Sequence, residues 1–444
     1  MTAKTGLGCA IDELSLVDSH EHLISEQHWV EFDVLQDLFG NAYINADLFV
    51  AGAARDAMER LFDRSSGDVG SRFADVADAW ELAKHTGYGE AVQLVAREVY
   101  GLDDLTAQTI EQAQAALERL QQPGGHYRLL KERAGLDHVQ INGVRFESEH
   151  PDFFLFDLSW FEFCSGMINR ETLHELSGVE VAGLDSLAEA MEMIFARFGP
   201  SSIAVKSQHA YVRTLHWEER SEDDAARALE LVLKDEDVGE ATRLCLGDWC
   251  WARGVELATR HNLPFKIHTG YHAGSGVSPI GVTGMPVEWI NAGNLCALLT
   301  RYPDARFVLM HAAYPYSDEL VALAKHYPNV YVDLCWAWAI DPYSAADFVR
   351  RFLHAVPINK LFAFGGDTGS PTNTVAFALQ ARKWLTRALE TEIEAGDLTE
   401  TDAVTIAHRL MRENQYACFD VEATRTAASQ LAGSAATLIT ATAT

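Results

Sequence analysis

Two histidines separated by one residue, His20-Glu21-His22, follow the short apolar run Leu14 to Val17. Such a run reads as a buried parallel strand, and a strand places residues i and i+2 on one side, so both imidazoles can face one ion. By itself the pair is weak evidence, because solvent-facing or core-satisfied histidines share that spacing. The other candidates strengthen it: His268, His311 and Asp367 each end a separate strand-like run, PFKIH, RFVLMH and LFAFGGD. Strand ends of an α/β barrel converge on the face that carries the active site, and scattered structural histidines have no reason to choose them.

His20, His22, His268 and Asp367 are therefore the expected ligands of a divalent metal. Imidazoles with one carboxylate suit Zn²⁺ first, with Mn²⁺, Fe²⁺ or Ni²⁺ close behind. An ion with one open position lowers the pKa of its water to about 7 and yields hydroxide at neutral pH. Asp367 can then accept the water's proton and pass it to the leaving group. His311 is cast outside the first ligand set, stabilising a developing oxyanion, or as ligand to a second metal.

Lys206, in IAVKSQHAYVRTL, has three readings: a carbamate bridging two metals, a cation for a substrate carboxylate, or a side chain extending from the rim. Arg213 suits an anionic substrate by two-pronged pairing, and suits a plain surface position equally well. Tyr271 and His272, Tyr314 and Tyr316, and Trp336 and Trp338 follow three successive strand-like runs and can line a pocket; ordinary packing accounts for each as well. The glycines of FGGDTG allow close backbone approach and form no phosphate-cradling signature.

These residues need a scaffold that brings strand ends together. Beside the first run, strand-like segments occur at Val139 to Val144, Phe153 to Leu158, Ile203 to Lys206, Phe265 to His268, Phe307 to His311, Val330 to Leu334 and Leu361 to Phe364. The second and third of the eight fit a hairpin or lid as well as a barrel. Alternation with helical stretches predicts an α/β fold, a (β/α)8 TIM-type barrel. Between the first two strands, residues 24–130 carry apolar positions at helical spacing, notably Ala53 to Leu61, Ala77 to Lys84, Ala91 to Val99 and Thr109 to Leu120. They predict a helical insertion capping the mouth of a barrel domain spanning 1–423. Residues 424–444, rich in Ala and Thr, are expected to fray. The acidic helical stretch Arg220 to Glu240 reads as a solvated face.

The 444 residues are 48% hydrophobic and 22% charged, enough for a large core, and their formal net charge is -29. That charge repels nucleic-acid phosphates and anionic membranes, leaving a small molecule as the expected partner. No run approaches the roughly 18 to 20 apolar residues of a membrane span, and no basic region precedes an apolar run at the N-terminus, so a cytoplasmic protein is expected. The seven scattered cysteines read as reduced thiols, and Cys245 and Cys250 among them as buried apolar residues. A homo-oligomer is the expected assembly.

Residues 264 to 390 resemble the amidohydrolase-2 group of the amidohydrolase superfamily, particularly its FluG and nodulin-type branch. The segments that carry the resemblance are PFKIHTGYHAG, RFVLMHAAYPY, NVYVDLCWAW, FAFGGDTGSPT and AFALQARKWLTRAL. His20 and His22 match the family's first-strand metal pair, and His268, His311 and Asp367 its later positions. VKSQHAYVRTL is similar to the branch's Lys-Ser-x-x-x-Tyr-Arg segment, with Val212 inserted before Arg213 or a shift of register. The insertion is similar to that of uronate isomerases. The resemblance implies hydrolysis of C–N or C–O bonds in small molecules, although some relatives isomerise sugar acids or decarboxylate aromatic acids. Those decarboxylases tend to carry Glu-x-His in the first strand, so His20 favours hydrolysis of an amide or other C–N bond in a possibly carboxylated substrate. The alternatives are a uronate-type isomerase and a metal-dependent decarboxylase.

Overall fold

The computed structural model describes residues 5–40, 43–142, 145–146, 148–234, 238–274 and 286–433. Eight parallel strands follow one another around a single sheet: β1 (Leu16–Glu21), β2 (Leu136–Ile141), β3 (Phe154–Ser159), β4 (Ser202–Ser207), β5 (Phe265–Ile267), β6 (Phe307–Leu309), β7 (Val330–Asp333) and β8 (Leu361–Phe362). Past β8 the chain turns back onto β1, where Ser19 N–H donates to Phe364 C=O at 3.1 Å and Asp367 N–H to His20 C=O at 2.9 Å. These bonds bring the two edges together, as a barrel requires. The second and third strands belong to the barrel and not to a hairpin, since they pair in parallel with Val139 opposite Phe154.

Helices on the outside follow from the burial pattern. The strands are buried nearly throughout, so their outward faces must be covered. The helices Leu184–Phe198, Glu240–Arg260, Ser317–His326 and Pro342–Ala355 belong to that layer. From β2 to β3, by contrast, no helix intervenes among the described residues.

Between β1 and β2 lies the long helical excursion. It includes Ile44–Val50, Arg55–Phe62, Ala77–Ala83, Gly87–Leu94 and Ile110–Leu120, and it buries Trp29, Phe39, Phe73 and Trp80. Asp37 fastens it to the 25-residue helix Pro371–Ala395, which follows β8: it accepts from Trp29 Nε1 at 2.9 Å, Tyr100 Oη at 2.8 Å and Thr372 Oγ1 at 2.5 Å. A second fastening uses Gly87, where a Cβ would lie 2.1 Å from Ala339 O in the short helix Ala337–Ile340 after β7. Glycine permits that backbone approach. The excursion is thereby fixed against the segments that follow β7 and β8.

The stretch expected to fray begins as a helix, Val421–Gly433. Arg425 reaches the opposite end of the barrel, donating to Asp137 Oδ2 at 3.0 Å, the same carboxylate that accepts from Tyr416 Oη at 2.6 Å. Residues 434–444 lie outside the described residues. Among the described residues, no helix is long and apolar enough to cross a membrane.

Candidate metal centre

β1 carries His20 inside the strand and delivers His22 just past its end. Their rings stand edge to face with centroids 5.0 Å apart. Asp367 meets them from the loop after β8: Oδ1 lies 3.2 Å from His20 Nε2 and 3.3 Å from His22 Nε2. Ligands held tetrahedrally about 2.0 to 2.1 Å from one ion are separated by about 3.3 Å, so the three donors have the spacing of a coordination shell. Both ring nitrogens of His20 are buried without a well-formed hydrogen bond, a costly state for polar atoms that a bound cation would relieve. Desolvation in the barrel mouth lowers the pKa of His22 to about 4 although 42% of its side chain stays exposed, leaving a neutral ring with a lone pair to give, as metal ligation requires. Burial opposes the ionisation of Asp367, but His20, His311 and His22 outweigh it and hold the carboxyl well below the usual range.

The backbone is strained where these side chains are presented. Among the described residues, seven other than glycine adopt positive φ, and Asn262 is the one remote from the barrel mouth. His311 (62°), Ala312 (49°) and Ala313 (47°) follow β6, Trp336 (62°) follows β7, Asp367 (57°) follows β8, and Tyr43 (61°) comes from the insertion. Each such residue costs about 1 to 3 kcal/mol and persists only where the surroundings enforce it, which is typical of functional sites. For Asp367 the enforcement is visible: its N–H is held by His20 O, and Tyr43 Oη donates to its carbonyl. Gly366 is required beside it, because a Cβ there would fall 2.0 Å from Glu21 Oε1, and Glu21 is itself fixed by Thr368 N at 2.6 Å and Thr374 Oγ1 at 2.8 Å.

His268 departs from the expected ligand set. Its Nε2 is turned to Tyr271 O at 3.0 Å, and its Nδ1 lies 2.9 Å from His311 Nε2; the donor group around Asp367 Oδ1 consists of His20, His22 and Asp367. His311 Nδ1 in turn faces Cys335 O at 3.0 Å. Each carbonyl fixes a proton on the nitrogen it meets, which leaves the two nitrogens that face each other bare in the neutral rings. Two lone pairs at 2.9 Å repel unless a proton or cation stands with them. His311, Cys335 and Asp367 also have donor atoms within 4.8 Å of one another, so the His268–His311 pair is placed beside the first group and shares Asp367 with it.

Lys206 ends β4 with 1% of its surface exposed. Burial lowers its pKa to about 8, and its amine has no hydrogen-bond or ion-pair partner among the described residues. Arg213 does not present its guanidinium for a substrate. It donates to Asp248 Oδ1 at 2.7 Å and to the carbonyls of Thr214, Cys164 and His216. His272 is buried and stacks on Tyr211 with centroids 4.4 Å apart. Trp336 lies 5.6 Å from the His311 ring and Tyr271 lies 5.9 Å from Trp336, so both line the mouth. Tyr314 packs further out, 6.4 Å from Tyr271. Trp338 instead donates to Ala363 O at 2.7 Å, a packing role.

Beneath the histidines lies a buried ionic layer that sequence reasoning missed. Lys266 Nζ donates to both oxygens of Asp157, at 2.8 and 3.0 Å, and to Ser19 O at 2.7 Å. Asp157 Oδ2 stands 3.7 Å from His20 Nδ1, the relation by which a carboxylate orients a metal-ligating imidazole from behind. Asp333 accepts from Ser19 Oγ at 2.6 Å. The signal was present: a lysine inside PFKIH and an aspartate inside FLFDLS interrupt otherwise apolar strands, and charges there must be paired. Cys335 was missed too, read only as one of seven reduced thiols.

Residues 204–403 match the family model described as amidohydrolase. The protein fluG of Emericella nidulans is 27% identical over 182 residues, which cover 40% of this chain and 20% of that protein. The matched region is thus a fifth of the length of that relative. Glucuronate isomerase from Caulobacter crescentus superposes with a TM-score of 0.77 at 18% identity, over 94% of this chain and 93% of that one. Uronate isomerase from Thermotoga maritima does so with a TM-score of 0.73 at 14% identity, over 93% and 96%. At these identities the structural likeness speaks for the fold. The eight-stranded barrel, with histidines and an aspartate at its mouth, accompanies a family match over residues 204–403, and in that region the chain is similar to the amidohydrolases.

Proposed function

We propose that the protein is a metal-dependent hydrolase that cleaves an amide or related C–N bond of a small molecule. The observation that carries this reading is the placement of Asp367, whose Oδ1 is shared by His20 and His22 while its Oδ2 faces His311 Nε2 at 3.8 Å. A divalent cation held by His20, His22 and Asp367, with Zn²⁺ the first choice for that donor set, supplies Lewis acidity toward the scissile carbonyl and acidifies a water. Asp367 takes the proton of the attacking water and delivers it to the departing nitrogen. His311, with Nδ1–H held on Cys335 O and a bare Nε2 2.9 Å from His268 Nδ1, would stabilise the developing oxyanion through a cation taken up by that imidazole pair. Lys206 supplies a cation at the β4 side of the mouth, suited to a substrate carboxylate.

Isomerisation of a uronate-type sugar acid is the second reading, favoured by superposition on two uronate isomerases over nearly the whole chain, insertion included. Product mass separates the two. Incubation of the metal-loaded protein with a panel of N-acyl amino acids, aryl amides and uronates, read by mass spectrometry, should give products that together exceed the substrate by one water. Products of unchanged mass, formed from the uronates alone, would replace this reading with the second.

A further inference from the structure

The side chains gathered around Trp336 beside the cation site have a specific chemistry. His22, deep in the barrel mouth, still exposes 42% of its side chain, so open space adjoins the ligands. Trp336 is the centre of the facing wall: its ring lies 4.6 Å from Tyr43, 5.9 Å from Tyr271 and 6.1 Å from Tyr88, the last nearly parallel at 19°. Tyr43 and Tyr88 both come from the insertion, so the excursion after β1 builds half of this wall. Two polar atoms in it are buried without a partner, Trp336 Nε1 and Tyr88 Oη, on side chains exposed by 1% and 5%. An indole N–H can only donate. Burial pushes the Tyr88 hydroxyl well above the usual phenol range, so it too is a protonated donor at any working pH. A buried donor left unmade costs about 1 to 3 kcal/mol, and two in one aromatic wall mark a place where an acceptor arrives with a ligand. No guanidinium contributes, since Arg213 is committed to Asp248 and three carbonyls.

We infer that this wall receives an aromatic or heteroaromatic group of the substrate bearing an oxygen acceptor, the ring packing against the touching pair Trp336 and Tyr43 and the oxygen accepting from Trp336 Nε1 and Tyr88 Oη. The inference rests on the hydrolase reading above and names its substrate class, an aryl amide. Ring faces satisfy an arene on all sides, as offset and edge contacts between aromatics do. A polyhydroxylated sugar acid would need a polar partner for each hydroxyl, and this wall offers two donors.

Calorimetric titration of the metal-loaded protein with 4-hydroxybenzamide and with D-glucuronate tests this, binding being read from the first heats before product accumulates. The benzamide should bind at least tenfold more tightly. Tyr88→Phe removes a hydroxyl that has no partner in the protein, so the melting temperature should hold or rise while benzamide binding weakens roughly 3- to 10-fold. Trp336→Phe, which keeps a ring and loses the N–H, should weaken it in the same sense. Glucuronate binding at least as tight as benzamide, or benzamide binding unchanged in both variants, would overturn the inference. Hydrolysis of some other amide would then leave the proposed reaction standing alone. Tight benzamide binding that is sensitive to both variants would keep the aromatic wall even if the product screen pointed to isomerisation.

Discussion

Asp367→Asn should remove turnover while leaving the protein folded. The side chain is asked to hold a cation, accept the water's proton and return it to the leaving nitrogen. A positioned general base alone contributes about 10² to 10⁴ in rate, and the loss of a charged ligand adds to that. The backbone argues for Asn over Ala: at φ 57° the residue is left-handed, a region that Asn tolerates better than other non-glycine residues. The variant should therefore keep its circular dichroism spectrum and melting cooperativity, with bound metal reduced and kcat lowered by about 10² or more. Turnover at the wild-type rate would remove Asp367 from the mechanism.

Lys266→Met should be the most damaging single change to stability at the centre of the barrel. Lys266 and Asp157 are both fully buried, and the ammonium spans the two oxygens of Asp157 and the Ser19 carbonyl. Removing one partner of a buried ion pair strands the other charge in a medium of low polarity, at a cost of about 3 to 5 kcal/mol. Asp157 is placed behind His20, so metal affinity should fall as well. The double variant Lys266→Met/Asp157→Leu removes both charges and should recover most of the lost stability without recovering the metal affinity. Equilibrium denaturation in urea reads the first effect and metal titration the second. A single variant as stable as wild type would show that the pair contributes nothing to the fold.

Much of the barrel could be read from the sequence because a parallel barrel buries its strands on both faces. That makes each strand a short apolar run, and polar residues at its C-terminal end then stand out. His20, His22 and Asp367 were visible for that reason, as donors ending runs that must converge. What the runs do not encode is the direction a side chain takes beyond the strand. His268 sits at the expected strand end, yet the Tyr271 carbonyl turns its Nε2 away and leaves Nδ1 on His311. Arg213 matched a substrate contact by type, but its partner Asp248 lies 35 positions on, in a helix whose rotation no local pattern sets. Tyr43 and Tyr88 were hidden inside helical text whose docking depends on distant contacts such as Gly87 against Ala339. The Ala- and Thr-rich C-terminal stretch gave no sign of the Arg425 to Asp137 bond that anchors its first part.

The central claim is that one divalent cation lies among His20, His22 and Asp367. The most direct test is anomalous diffraction from crystals of the purified protein, recorded on both sides of the zinc absorption edge and of the manganese, iron and nickel edges. A peak is expected about 2.0 to 2.2 Å from His20 Nε2, His22 Nε2 and Asp367 Oδ1. A peak bound elsewhere, or well-ordered density for these three side chains with no scatterer between them in protein supplied with metal, would contradict it.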